Sequence, residues 1–288
     1  MGTSPTTEAP EDAASPSAIT MDRILLWLAH RSLATADKCG LKLGKRAGPP
    51  TGHPYRDIDP RQMWARRYLS WRYIRGEGIE IGALHCPLPL YGGAKSKYVD
   101  YIPLAEIRKH YPELEGFEIA EPDIIDNAEL LTKVQNGSQD FIVANHFIEH
   151  CENPLGTLQN LLSKLRDGGR IFMAVPMRDA TFDHLRALTP ASHILNDYLN
   201  GHEQSRWEHY IDWAKNVAHG NSGSVETVAK ELLDRRYSIH FHVWNFASFH
   251  QLLELASKQL NLPFKVLSAA RWGFNPFESV YILEKLPR

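Results

Sequence analysis

The sequence predicts an α/β fold, a doubly wound and mostly parallel sheet with helices on both faces. Three observations predict it. The stretch from Gly76 to Asp100 holds two strand-like runs, Ile79-Glu80-Ile81 and Tyr98-Val99-Asp100, with about twenty residues of turn and crossover between Glu80 and Asp100. Phe141-Ile142-Val143-Ala144 is a short, continuously apolar run, the kind that fills a central parallel strand. A helix-patterned segment, Pro154 to Leu165, then leads to another strand-like run, Arg170 to Pro176, so strands and helices alternate.

The chain of 288 residues supports one large domain or two small ones and can bury a substantial core. A net charge of -2 gives no reason to expect nucleic acid or a strongly anionic membrane as partner. Cys39, Cys86 and Cys151 form no C-x-x-C pair, which argues against a disulfide framework and a cysteine-based zinc site and points to a reducing, cytoplasmic setting. No run reaches the ~18 apolar residues that cross a bilayer, so no stable membrane insertion is expected.

Residues 1–20 are polar and rich in Pro, Ala, Ser, Thr and Glu, and read as a disordered tail rather than a secretory signal. An N-terminal helical arm or cap covers 21–75. It starts with a short amphipathic helix, Met21 to His30, passes through a Gly-, Pro- and Lys-rich stretch to Pro60, and ends in a basic, aromatic helix, Arg61 to Ile74, with a solvated basic face. Residues 76–288 form the main domain.

In that domain the first strand carries Glu80 and ends at Gly82. The turn Ala83-Leu84-His85-Cys86-Pro87 lacks the further glycines that let a backbone approach a pyrophosphate, so a nucleoside ligand without a phosphate suits it better. Asp100, at the end of the second strand, is an acceptor-only group matched to the two donors of a ribose diol. Pro103 to Tyr111 is a short helix stopped by Pro112. The segment Glu121 to Asp126 reads as a third strand with an acid beside two apolar residues; that chemistry suits adenine, and equally an Asp turn before the next element.

After Phe141–Ala144 comes Asn145-His146-Phe147-Ile148-Glu149-His150, polar residues where open α/β sheets bind ligands. His146 and His150 are four apart and share a face if that segment is helical. In Pro154–Leu165 the residues Leu155, Leu158, Leu162 and Leu165 recur at helical spacing, Asn153 can cap, and Asp167-Gly168-Gly169 stops the helix. Asp179 and Asp183 follow the next strand. Residues 184–225, rich in His and aromatics, read as a helical lid over the strand ends. The stretch Ile239 to Asn245 precedes a helix from Phe246 to Gln259. Two last runs, Phe264–Leu267 and Ser279–Glu284, are about a dozen residues apart, which suits an antiparallel return.

Taken together, Glu80-Ile81-Gly82, Tyr98-Val99-Asp100, Asp123-Ile124, Asp140–Val143 with Ile148-Glu149-His150, and Leu165–Gly169 resemble the class I S-adenosylmethionine-dependent methyltransferases. More narrowly they resemble the type 11-like branch found with bacterial polysaccharide and glycosyl-transfer genes. The resemblance implies a seven-stranded, Rossmann-like methyltransferase sheet with an antiparallel C-terminal strand. It implies S-adenosyl-L-methionine as cofactor, held by Glu80 and Gly82, Asp100 at the ribose, Asp123 and Ile124 at the adenine, and Asn145 and His146 beneath the methionine part. The activity it implies is O-methylation of a small molecule, a saccharide or glycoconjugate; homodimerisation stays open.

A hydroxyl acceptor needs a base, and His titrates near neutral pH. His150 is the first candidate, oriented by Glu149 or Asp179, and His146 the second; the bland alternative is that Glu149-His150 only pins a helix. His209 and His242 are weaker candidates. His146, His150, Asp179, Asp183, His240 and His242 could supply imidazole and carboxylate metal ligands, but only the His146/His150 spacing is ligand-like, and no metal is assigned. The competing class is a non-catalytic methyltransferase-like module that binds a nucleotide sugar or a protein partner.

Overall fold

The computed structural model describes residues 60–218, 223–272 and 275–287, all within a compact unit spanning Pro49–Arg288. The expected tail and the Met21–His30 helix lie outside these residues. Among the described residues no helix is long and apolar enough to cross a membrane.

The strands are β1 (Glu77–Ile81), β2 (Lys95–Asp100), β3 (Ile124–Ile125), β4 (Gln139–Val143), β5 (Leu165–Pro176), β6 (Phe264–Trp272) and β7 (Asn275–Lys285). They form one seven-stranded sheet in the order β3-β2-β1-β4-β5-β7-β6. β1 to β5 pair in parallel, and β7 runs antiparallel to both β5 and β6. The return expected near the end of the sequence is therefore the single reversed strand.

The apolar runs predicted as central strands are central. Phe141, Ile142 and Val143 of β4 and Ile171, Phe172, Ala174 and Val175 of β5 are wholly buried, because a strand covered on both faces has no side for water. Helices α1 (Pro60–Tyr73), α2 (Leu104–His110), α3 (Pro154–Lys164) and α7 (Phe246–Lys258) flank the sheet in sequence. In α3, Leu155, Leu158, Leu161 and Leu162 face the core, each worth ~1.5–3 kcal/mol of burial. Asn153 caps it by accepting from the Gly156 amide at 2.9 Å. The helix stops at Lys164, before Asp167-Gly168-Gly169. Those three residues instead form an irregularity in β5, where the register slips between Gln139↔Leu165 and Phe141↔Arg170, and Gly168 takes φ +76.

The segment expected as a lid, 184–225, belongs to a helical stretch that runs on past it. That stretch contains α4 (Ala191–Asn200), α5 (Arg206–Asn216) and also α6 (Val225–Asp234). Tyr210, Trp213, Ala214, Val228, Ala229, Ile239 and Phe241 give it a core of its own. Residues 239–245 join no strand. They form a strap: the Phe241 amide donates to the Glu149 carbonyl at 2.8 Å, the Thr189 amide to the Val243 carbonyl at 2.9 Å, and the Arg178 amide to the Trp244 carbonyl at 2.9 Å. The strap thus ties the lid to the exits of β4 and β5.

Helix α1 corrects one expectation. Arg67 and Arg72 are exposed as a solvated basic face requires, but Arg66 is buried. Its guanidinium meets the Glu278 carboxylate in a fork, Nε to Oε1 at 2.9 Å and Nη2 to Oε2 at 2.5 Å.

Candidate functional site

The site lies at the carboxyl ends of β1, β2, β4 and β5. Glu80, one residue before the end of β1, is 1% exposed. Its Oε1 accepts the Leu88 amide at 2.8 Å, and its Oε2 is buried without a hydrogen-bond partner. Burial pushes this carboxyl up to about 7, against the Leu88 amide and the nearby Arg66 charge. Gly82 follows in the left-handed region, φ +59, and a Cβ added there would meet nothing within 4 Å. The proline-containing turn therefore leaves the space over Gly82 open. The turn is folded aside, with the Ala120 amide donating to the Leu84 carbonyl at 2.7 Å.

Asp100 closes β2, as expected. Its Oδ1 accepts the Tyr101 amide at 2.7 Å and lies 3.4 Å from that of Ile102. Burial raises its carboxyl above the ordinary value, although those amides pull it down. Asp123 is not beside it. The register Val99↔Ile124 sets Asp123 before β3, at the strand's amino end, where its Oδ2 accepts the Tyr98 amide at 2.7 Å. Ile124 lies within β3, half-buried and packed on the main core. The acid at the carboxyl end of β3 is Asp126, and its oxygens are taken by the Asn127 and Lys133 amides and the Thr132 hydroxyl.

The exit of β4 holds Asn145 and His146. Asn145 Oδ1 accepts the Ala174 amide at 3.1 Å, while its Nδ2 is buried and unpartnered. His146 and His150 do not share a helix: Ile148–His150 is a short 3-10 turn, and His146 has φ +48. The left-handed backbone sends the two rings to different neighbours. His146 Nε2 donates to Glu278 Oε2 at 2.8 Å, and its Nδ1 lies 3.5 Å from Glu149 Oε1. Burial alone would raise the Glu278 carboxyl, but the Arg66 charge and the hydrogen bonds from His146 and Arg66 bring it down to about 2. The His146 ring is 41% exposed, so it is held on one side and open on another.

His150 turns away from this group. Its Nδ1 donates to the Ile239 carbonyl at 2.9 Å, with the Ser238 hydroxyl 3.0 Å away, and burial together with the His240 charge lowers it to about 3. Neither expected orienting acid is bonded to it. Asp179 is exposed and pairs with its neighbour Arg178 at 2.7 Å. Glu149 is fully buried, both of its oxygens lack partners, and burial pushes it up to about 7 against the His240 charge. The lid side of Glu149 carries a closed network in which Asp183 accepts from His240 Nδ1 at 2.7 Å and Arg186 Nη1 at 2.8 Å. Sequence reasoning missed Glu278 and Arg66; their signal, an acid at a strand start and an arginine on an otherwise solvated face, is visible only once the two are paired.

Sheet order, the single reversed strand and the crevice with its uncommitted polar atoms define the class: a class I methyltransferase fold. The chain belongs to the family of this domain, since the model described as "Methyltransferase domain" matches residues 76–256. No similar curated protein was found. Among solved structures the chain is similar to the PH0226 protein from Pyrococcus horikoshii OT3, with 13% identity, 82% of this chain and 96% of that chain covered, and a TM-score of 0.45. It is also similar to a SAM-dependent methyltransferase from Aquifex aeolicus, with 10% identity, 79% and 90% coverage, and a TM-score of 0.40. A third is the CurJ carbon methyltransferase, with 12% identity, 75% of this chain covered and a TM-score of 0.39; the chain spans 50% of that protein's length.

S-adenosylmethionine is the cofactor of this domain class. The residues present fit it: it offers hydroxyl and ammonium donors and a carboxylate acceptor, and the crevice offers the unpartnered Glu80 Oε2, the Asp100 carboxylate and the unpartnered Asn145 Nδ2.

Proposed function

We propose that the chain is an S-adenosylmethionine-dependent O-methyltransferase acting on a small molecule, a saccharide or glycoconjugate. Glu80, Gly82, Asp100, Asn145 and His146 line the cofactor site in this reading, with Asp126 and Ile124 replacing the expected Asp123–Ile124 pair near the base. The cofactor supplies an electrophilic methyl on a sulfonium, so the chain's task is to position the acceptor and take its proton.

One observation carries the reading: an imidazole braced by an ionised carboxylate beside the crevice. His146 Nε2–H is committed to Glu278, so Nδ1, which lies 3.5 Å from Glu149 Oε1, is the ring nitrogen left to accept the hydroxyl proton. Glu278 in turn is fixed by Arg66. His150, lowered to about 3, is too weak a base for that step and serves instead to hold the strap. The saccharide class is supported by the sequence resemblance, and a reducing, cytoplasmic setting by the free thiols Cys86 and Cys151.

The test is calorimetric titration of the full chain with S-adenosylhomocysteine, followed by transfer of labelled methyl from the cofactor to a panel of sugars. Saturable binding with an O-methyl signal in the product is expected. Absence of S-adenosylhomocysteine binding would remove the reading, and an N- or C-methyl product would remove the acceptor assignment.

A further inference from the structure

A second constellation lies in the lid, outside the crevice. Helix α4 carries His193 and Asp197, four apart and so on one face; α5 carries His209, and the strap carries His242. One ring nitrogen from each histidine lies within 4.8 Å of the others. His193 Nε2 is 3.1 Å from His209 Nε2 and 3.2 Å from Asp197 Oδ2. Two facing imidazole nitrogens at that separation share at most one proton, and both turn a lone pair toward the same point once that proton is absent.

The remaining partners are arranged as ligands are. His242 is 1% exposed; its Nε2 donates to the Glu152 carbonyl at 3.3 Å, which leaves Nδ1 with a lone pair, and that atom is buried without a partner. A metal-binding histidine is oriented in this way, by giving its other N–H to a backbone carbonyl. Asp197 is 1% exposed; its Oδ2 accepts the Ser205 hydroxyl at 2.9 Å, and its Oδ1 is buried and unpartnered. Each buried orphan atom is costly unless something satisfies it.

We propose that His193, His209, His242 and Asp197 bind a divalent first-row transition cation of the zinc class, which fastens α4 and α5 to the strap. Three imidazoles and one carboxylate make the four-ligand nitrogen and oxygen set that such an ion takes tetrahedrally, and they contain none of the all-oxygen character that calcium or magnesium requires. The His193 side chain, 33% exposed, gives the ion an entry path. The role is structural: the ion satisfies Asp197 Oδ1 and His242 Nδ1 and cross-links α4, α5 and the strap.

The test uses the full chain, stripped with a chelator and then equilibrated separately with zinc and cobalt(II). One equivalent of zinc retained through gel filtration in metal-free buffer is expected, with intense visible bands of tetrahedral cobalt and a higher melting temperature. H193A, D197N and H209A should each weaken zinc at least about 100-fold, since loss of an outer partner alone costs 10–100-fold. H193A removes a partly exposed ring and D197N preserves shape, so both report on folded protein, verified by circular dichroism. Three results would overturn the site: no retained zinc in the parent chain, full retention in all three variants, or loss only in H150A, which would move the metal to the Glu149, His150 and His240 group. Binding of S-adenosylhomocysteine is measured in parallel, so failure of the metal site is distinguishable from failure of the methyltransferase reading.

Discussion

The crevice and the Asp183 network beneath the lid treat buried charge in opposite ways. In the crevice, Glu80 keeps one carboxylate oxygen without a hydrogen-bond partner, Glu149 after β4 has a hydrogen bond to neither oxygen, and burial pushes each up to about 7. In the network, Asp183 is equally buried, yet His240 and Arg186 outweigh that burial and hold its carboxyl below the ordinary value. A buried carboxylate that closes its own network holds the fold together. One left open marks where a ligand completes the structure. Glu278 stands between the two cases, closed by Arg66 but still bonded to an exposed ring, His146.

The most severe way to break the closed network is Asp183→Ala. It leaves the Arg186 guanidinium, 1% exposed, without one of its two acids and strips His240 of its acceptor. A loss of ~3–5 kcal/mol is expected, read as a lower urea midpoint. His146→Ala tests the opposite region, where the expected effect is mainly kinetic: turnover falls ~10²–10⁴-fold, well beyond any loss of S-adenosylhomocysteine affinity. A parallel drop in affinity would assign His146 to cofactor binding alone.

A third measurement sharpens the contrast through pH. Burial pushes Glu80 and Glu149 up to about 7, above the ordinary carboxyl value of 4.5, so the folded state binds more protons than the unfolded one between those values. Their contribution to stability is full below the unfolded value and is lost as pH rises through about 7; Glu80→Gln should flatten that loss. A cationic cofactor favours ionised Glu80, so its affinity should rise about tenfold between about pH 6 and pH 8. The smallest effect belongs to a site away from both regions: Asn153→Ala removes the α3 cap and should cost ~1 kcal/mol in thermal unfolding.

The parallel half of the sheet was readable because its signals are local. The apolar run of β4, the capped stripe of α3 and the acid closing β2 each depend on neighbours within a few residues. Asp123 was misplaced because a two-residue strand has no pattern of its own; its pairing with Val99 and Asp100 decides where it ends. His150 is the first candidate in the sequence because Glu149, its neighbour in the chain, or Asp179 could orient it, but neither acid bonds to it, and the segment before it turns through φ +48 at His146 instead of forming a helix. The partners that then separated the two rings come from far along the chain, Ile239 for one and Glu278 for the other. The lid's histidines were visible as a rich composition, but of the four proposed ligands only His242 had been weighed as one. Convergence of α4, α5 and the strap is a tertiary fact that no spacing in the sequence encodes.

His146 stands on a backbone that glycine alone adopts without penalty, and an imidazole there costs about 1 kcal/mol or more in local strain. Glycine at 146 would release that strain, but it would also take from the buried Glu278 carboxylate one of its bonded partners. The strained backbone is thus held in place by the same contact that braces the ring.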